Sequence, residues 1–259
     1  MLRWISFLLG FLWLAPCSAA TVANQVRFPT LAPGGSATML TATVYQPSGP
    51  GPFPAVVVLH HCGGIDADLH TWGRHLADLG YVSILPDSFG PRGTGRVCAT
   101  GTVRPGERVP DAYAAADYLR TLPEVRGDRI GLIGFSHGAG TITALVSRPP
   151  MSAPFRAAVA YYPNCPSAVA VVNVPTLILI GAKDDWTPAA PCAAWGAHVA
   201  DPRTLDVVVY PNAYHKFDGI GTHEAQGTMG RTHHLEHDQD ATVDAKFRAE
   251  AFLAQWLKP

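Results

Sequence analysis

Short runs of Val, Ile and Leu, apolar at consecutive positions, alternate along the chain with longer stretches in which apolar residues recur at helical spacing or alanine dominates. A run that is apolar on both faces suits a strand buried inside a sheet, whereas the longer stretches suit helices laid against it. The pattern predicts strands over 37–46, 55–60, 81–86, 129–135, 157–162, 176–181 and 205–210, and helices over 69–79, 109–122, 137–147, 189–200 and 242–257. Gly80, Pro123 and the pair Pro149 and Pro150 punctuate the helix ends, since proline cannot continue a helix. Such alternation is the signature of an α/β fold, a mostly parallel central sheet with crossover helices on both faces. The stretch 22–40 carries Pro29, Pro33, Gly34 and Gly35 and is expected to be an antiparallel edge or a loop. No internal repeat or long linker interrupts the order, so residues 21–259 are expected to form one domain.

Composition narrows the partners. With 47% hydrophobic and 15% charged residues the chain can bury a sizeable core, and a formal net charge of -1 gives no basic footprint for nucleic acid. Residues 1–20 read as a secretory signal peptide: Arg3, an apolar run over 5–14, then small residues up to a cleavage point after Ala20. The apolar run is too short to cross about 30 Å of hydrocarbon. Cys17 raises the rival of a lipid anchor, which Pro16 before it fits poorly. The expected location is therefore secreted or periplasmic, with no membrane association after cleavage.

Removing that segment leaves Cys62, Cys98, Cys165 and Cys192 in a protein bound for an oxidising compartment. Four cysteines allow three pairings; Cys62 with Cys98 and Cys165 with Cys192 is the favoured one, and four buried free thiols are the rival.

The most informative motif is GFSHGAG, in which Gly134, Ser136 and Gly138 fit G-x-S-x-G directly after a predicted strand and before a predicted helix. That is the context of a nucleophile elbow, where a strained turn presents a serine hydroxyl and the flanking positions must be small. The residue after such a serine opens the helix, so His137 is expected to offer its backbone N–H to an oxyanion rather than its imidazole as a base. The elbow's usual order then demands an acid and a histidine later in the chain. AKDDWTP supplies Asp184 and Asp185 after one predicted strand, and PNAYHKFD supplies His215 after the next. Each group falls at the carboxyl end of its own strand, where ligands gather in open α/β sheets. One of the two aspartates could instead cap the helix beyond Pro188, and His215 is one of 11 histidines.

The stretches VVVLHHCGG, GYVSILPDSFGPRG, GLIGFSHGAG, LILIGAKDDWTP and VVVYPNAYHKFD together resemble the dienelactone hydrolase family of α/β-hydrolases over nearly all of the chain beyond residue 20. The resemblance implies an α/β-hydrolase fold, no cofactor, and a small-molecule ester or lactone substrate. Carried over by position, the nucleophile falls on Ser136, the acid on Asp184 (three residues past Gly181, with Pro188 four further on) and the histidine on His215. It also implies a second oxyanion donor at the backbone N–H of Cys62, beside Gly63 and Gly64. Two positions depart from the family pattern: Ser136 stands where the namesake enzymes have cysteine, and His61 where they carry a glutamate. Ser136 is more similar to the esterase-type members.

Around these residues His61, Arg92, Tyr162 and Trp186, with Phe217, are candidate pocket walls, Arg92 as a partner for an anionic substrate; surface solvation and core packing are the competing readings. In RTHHLEHD, His233 and His237 are spaced i, i+4, but no second cluster completes a metal site, so a solvated loop and no metal are expected. The expected activity is cleavage of carboxylic esters or lactones through a Ser-His-Asp acyl-enzyme. The alternatives are a hydrolase fold kept only for binding small molecules, and an acyl hydrolase acting on acetylated sugars, peptides or polyesters.

Overall fold

The computed structural model describes residues 22–31, 37–152, 155–166 and 171–258, so the expected signal segment, with Cys17, lies outside the described residues. The central sheet contains β1 (Val22–Leu31), β2 (Ala37–Gln46), β3 (Phe53–Leu59), β4 (Val82–Asp87), β5 (Val125–Phe135), β6 (Ala158–Tyr161), β7 (Thr176–Gly181) and β8 (Leu205–Tyr210), in the order β1-β2-β4-β3-β5-β6-β7-β8. From β4 to β8 neighbouring strands run parallel, while β1 and β2 form the antiparallel edge expected of the leading stretch.

The crossovers are α1 (Ala67–Asp78), α2 (Val109–Arg120), α3 (His137–Val146) and α4 (Ala189–His198), and α5 (Gln239–Leu257) follows the last strand of the sheet. His75 of α1 meets Glu250 of α5 at 2.7 Å, and α2 packs beside α3. Asp66 caps α1 by accepting from the Leu69 N–H, and Asp238 caps α5 by accepting from Ala241. The inner strands are covered on both faces: all of β6 and β7 is buried, whereas β8 at the sheet edge exposes Asp206 and Val209. This explains why unbroken apolar runs mark the inner strands.

The structure corrects the reading of 231–238 as a solvated loop. The segment between β8 and α5 holds a two-stranded antiparallel hairpin, β9 (Thr222–Gln226) and β10 (Thr232–Glu236), and Leu235 of β10 bridges to His215. Cys62 is bonded to Cys98 and Cys165 to Cys192. The first bond ties the loop after β3 to the excursion after β4, and the second ties the loop after β6 to α4. Among the described residues no helix is long and apolar enough to cross a membrane.

Candidate active site

The turn between β5 and α3 holds Ser136 at φ 49 and ψ -109, a region that residues with a Cβ seldom occupy. The glycines on either side make that possible. A Cβ at Gly134 would come within 2.8 Å of the Gly138 carbonyl carbon, and one at Gly138 within 2.1 Å of the Leu59 carbonyl oxygen. The Ser136 N–H donates to the Tyr161 carbonyl at 2.9 Å, which ties the turn to β6.

Three strand ends converge on this hydroxyl. His215 Nε2 lies 2.9 Å from Ser136 Oγ, and His215 Nδ1 lies 2.7 Å from Asp184 Oδ2. With Nδ1–H donating to the carboxylate, Nε2 is free to accept the serine proton. Both partners are sequestered, Asp184 at 4% exposure and His215 at 2%. The carboxylate is also held from its other side: Oδ1 accepts the Trp186 and Thr187 N–H groups at 2.9 and 2.7 Å. Asp184 thus makes the turn and faces the histidine at once, and α4 begins at Ala189, after Pro188, without a side-chain cap. Asp185 points elsewhere, half exposed and 3.4 Å from His233 Nδ1.

Sequence reasoning missed Thr187. Its hydroxyl lies 2.9 Å from Asp184 Oδ2, 3.1 Å from the Tyr162 carbonyl and 3.1 Å from His215 Nδ1. The signal was present as a hydroxyl three residues after the acid, at the spacing of an Asx-type turn.

His137, the residue after Ser136, is the first of α3, and the loop carrying Cys62 lines the same cleft as Ser136. His61 organises that loop: its Nδ1 accepts the Gly63 N–H at 2.9 Å and its Nε2–H donates to Asp66 at 2.7 Å. Burial alone would raise the Asp66 pKa, but the His61 hydrogen bond and charge, the Leu69 N–H and Lys216 outweigh it and hold the carboxyl well below its ordinary value. The His137 imidazole is turned to other partners, with Nδ1 accepting from Arg108 at 2.9 Å and Nε2–H donating to the Val103 carbonyl at 2.8 Å. Burial first, then the Arg108 charge, pushes its pKa down to about 3.

The cleft in front of Ser136 encloses about 270 Å³, and His61, Tyr162 and Trp186 all line it. The Trp186 ring lies 5.1 Å from the His215 ring and stacks on His233 at 4.6 Å, while Tyr162 meets His215 edge-on at 4.9 Å. The hairpin contributes His223, Ala225 and Leu235 to the wall. Two expectations fail here. Arg92 does not line the cleft: its guanidinium is paired at 2.9 Å with both carboxylate oxygens of the buried Asp111 and with the Ser88 carbonyl at 2.7 Å. The arginine at the cleft is Arg96, four residues on. Phe217 is fully buried against Tyr161, Tyr162 and Tyr210, so it belongs to the core.

His233 and His237 do not share a helical face. The first lies flat on Trp186 and the second faces Gln239 at 3.1 Å. Among the described residues no group of three or more His, Cys, Asp or Glu side chains is placed to hold a metal ion.

This arrangement can be set beside known proteins. The pattern of the dienelactone hydrolase family matches residues 40–257. The chain belongs to that family. A relative from Methylorubrum extorquens, assigned as a carboxymethylenebutenolidase, is 29% identical over 224 residues, covering 76% of this chain and 72% of that protein. Another, from Bradyrhizobium, assigned as a 2-oxo-3-(5-oxofuran-2-ylidene)propanoate lactonase, is 27% identical over 197 residues, covering 68% of this chain and 78% of its own. Among solved structures, a Klebsiella pneumoniae protein assigned to the dienelactone hydrolases superposes with a TM-score of 0.72 at 22% identity, covering 92% of this chain and all (100%) of that one. At that identity the structural match speaks to the family fold.

Proposed function

We propose that the protein is an exported serine hydrolase that cleaves small carboxylic esters or lactones through a covalent acyl-enzyme. The observation that carries this reading is the linear relay from Asp184 through His215 to Ser136, with 2.7 and 2.9 Å contacts at the ends of three separate strands. In the first step Ser136 Oγ bonds to the carbonyl carbon as its proton passes to His215 Nε2, and Asp184 stabilises the resulting imidazolium. The carbonyl oxygen becomes an oxyanion, received by the backbone N–H groups of Cys62 and His137. Collapse of the intermediate breaks the bond to the alcohol oxygen, which takes the proton from His215. In a lactone that alcohol stays tethered to the acyl group. Water, deprotonated by His215, then attacks the acyl carbon and releases the acid and Ser136.

The cleft volume of about 270 Å³ sits at the small end for ligand sites, which supports a compact substrate over a polymer. Two disulfides support residence in an oxidising compartment. Membership of a hydrolase family, with relatives named as lactone-opening enzymes, supports the bond class.

The test is Ser136→Ala against p-nitrophenyl acetate, with a fluorophosphonate probe on the parent. Loss of about a thousandfold or more in kcat, with labelling of the parent at Ser136, is expected. A Ser136→Ala enzyme as fast as the parent would overturn the reading.

A further inference from the structure

One fully buried cation lies next to the site without touching the space where a substrate would sit. Arg108, 0% exposed, stands at the junction of the 3-10 turn Pro105–Arg108 and α2. Burying a guanidinium is costly unless its geometry is well used. Here Nη1 donates in two directions, to the His60 carbonyl at 2.8 Å and to His137 Nδ1 at 2.9 Å. Among the described residues Nε and Nη2 have no hydrogen-bond partner, and the Phe89 ring centroid lies 5.1 Å from the guanidinium carbon. The hydrogen bonding of the group therefore rests on those two contacts.

The two acceptors belong to the two segments flanking the oxyanion position. His60 follows β3 and leads through His61 to Cys62; His137 opens α3. Their surroundings fix each acceptor in turn. The His137 ring is anchored at its far nitrogen by the Val103 carbonyl, and the His60 ring donates from Nδ1 to the His61 carbonyl at 2.8 Å while Nε2 accepts the Ser88 N–H at 3.1 Å. Burial lowers Arg108 to about 9, with Asp111 opposing that shift, so the guanidinium remains charged at neutral pH. His137, pushed to about 3, keeps its Nδ1 lone pair available throughout the same range.

We propose that Arg108 is a positioning residue for the oxyanion hole, setting the spacing between the backbone N–H groups of Cys62 and His137 by bridging the His60 carbonyl and the His137 ring. The proposal rests on the acyl-transfer reading of Ser136. Oxyanion donors act only within a narrow distance of the developing charge, and misplacement of about 1 Å can cost on the order of a hundredfold. A residue that holds two donors in register should act on kcat and leave substrate affinity alone.

The test is Arg108→Met, which keeps an unbranched side chain suited to burial but removes the donors, assayed beside the parent on p-nitrophenyl acetate and for its rate of fluorophosphonate labelling. A cooperatively folded variant is expected to lose about ten- to a hundredfold in kcat, and in its rate of labelling, with KM changed by less than about threefold. Arg108→Lys, which keeps one cationic donor, should recover part of the loss. A parent-like kcat, or a rise in KM with kcat unchanged, would overturn the proposal. If Arg108→Met does not fold, Arg108→Lys and His137→Phe carry the test, because the second removes the ring acceptor and leaves the backbone N–H. Each should lower kcat, and the double variant should fall little further than the worse single. Full additivity would overturn it. A parent that fluorophosphonate does not label would sink the acyl-transfer reading and this proposal together, whereas a labelled parent with parent-like variants would sink this proposal alone.

Discussion

Asp184 and Asp185 are neighbours in sequence that face different histidines. Asp184 Oδ2 is buried 2.7 Å from His215 Nδ1, whereas Asp185 Oδ1 is half exposed and 3.4 Å from His233. Only the first can fix the tautomer that leaves His215 Nε2 able to accept a proton. Asp184→Asn would present an amide to that nitrogen and favour the wrong tautomer, so kcat should fall by roughly a thousandfold or more. Asp185→Asn removes an exposed charge from a contact worth little and should change kcat by less than about threefold. Steady-state kinetics on the two variants separates them; equal losses would mean that the acid is misassigned.

The Thr187 hydroxyl completes the shell around the carboxylate, within 2.9 Å of Asp184 Oδ2 and 3.1 Å of the Tyr162 carbonyl. Thr187→Val keeps the shape and the backbone N–H that Asp184 accepts, and removes only the hydroxyl. Loss of one hydrogen bond of about 0.5–1.5 kcal/mol translates to a fall of roughly three- to tenfold in kcat, with KM unchanged. A KM effect instead would place the hydroxyl on the substrate.

The parallel strands were legible because burial on both faces requires unbroken apolar runs such as VVVL in β3 and TLILIG in β7. The elbow and the two later loops were legible because each lies at a strand end, where the chain order fixes spatial convergence. The hairpin was not, since β9 (THEAQ) is exposed or half-buried throughout and β10 (THHLE) buries only His233 and Leu235. Such polar strands carry no apolar alternation to read. Arg92 and Arg108 were illegible for a related reason: arginine is ordinarily a surface residue, and nothing in one dimension reveals that Asp111, His60 and His137 wait for these two in the interior.

The two disulfides should differ in what they protect. Cys165–Cys192 closes a sequence separation of 27 and Cys62–Cys98 one of 36. Chain-entropy arguments give each about 3.5–4 kcal/mol of stability. Replacing Cys165 and Cys192 together by Ser should lower the unfolding free energy by that order while the folded fraction keeps its kcat. Replacing Cys98 by Ser should lower stability comparably and also lower kcat, because its partner Cys62 supplies a proposed oxyanion donor. Denaturant titration paired with kcat at low temperature reads both quantities, and non-reducing peptide mapping checks the pairings. An unchanged kcat without Cys98 would show that the bond has no bearing on the site.

Buried His60 and partly buried His137 predict how the fold responds to acid. Burial, reinforced by the Arg108 charge, pushes His137 down to about 3 and holds His60 well below its ordinary value. Each is neutral in the fold, but in the unfolded chain each regains a pKa of about 6.5. Above that value both states hold the imidazoles neutral, and the folded state incurs no penalty. Between about 6.5 and 3 the unfolded chain binds a proton on His137 that the folded chain refuses, so stability is lost as pH falls, at about 1.4 kcal/mol per unit, and His60 acts in the same direction. At pH 5 His137 alone should have lost about 2 kcal/mol, a large share of a typical 5–15 kcal/mol. Exposed His234, raised by Glu236 and Glu224, works weakly in the opposite sense. The carboxyl of Asp66, held low, adds its loss only below about pH 4. The midpoint of thermal unfolding should therefore hold level from pH 8 to about 6.5 and fall from there to pH 5, and His137→Gln, which cannot titrate, should flatten that fall. A midpoint that stays level or rises toward pH 5 would mean that the His60 and His137 rings are not held neutral in the interior.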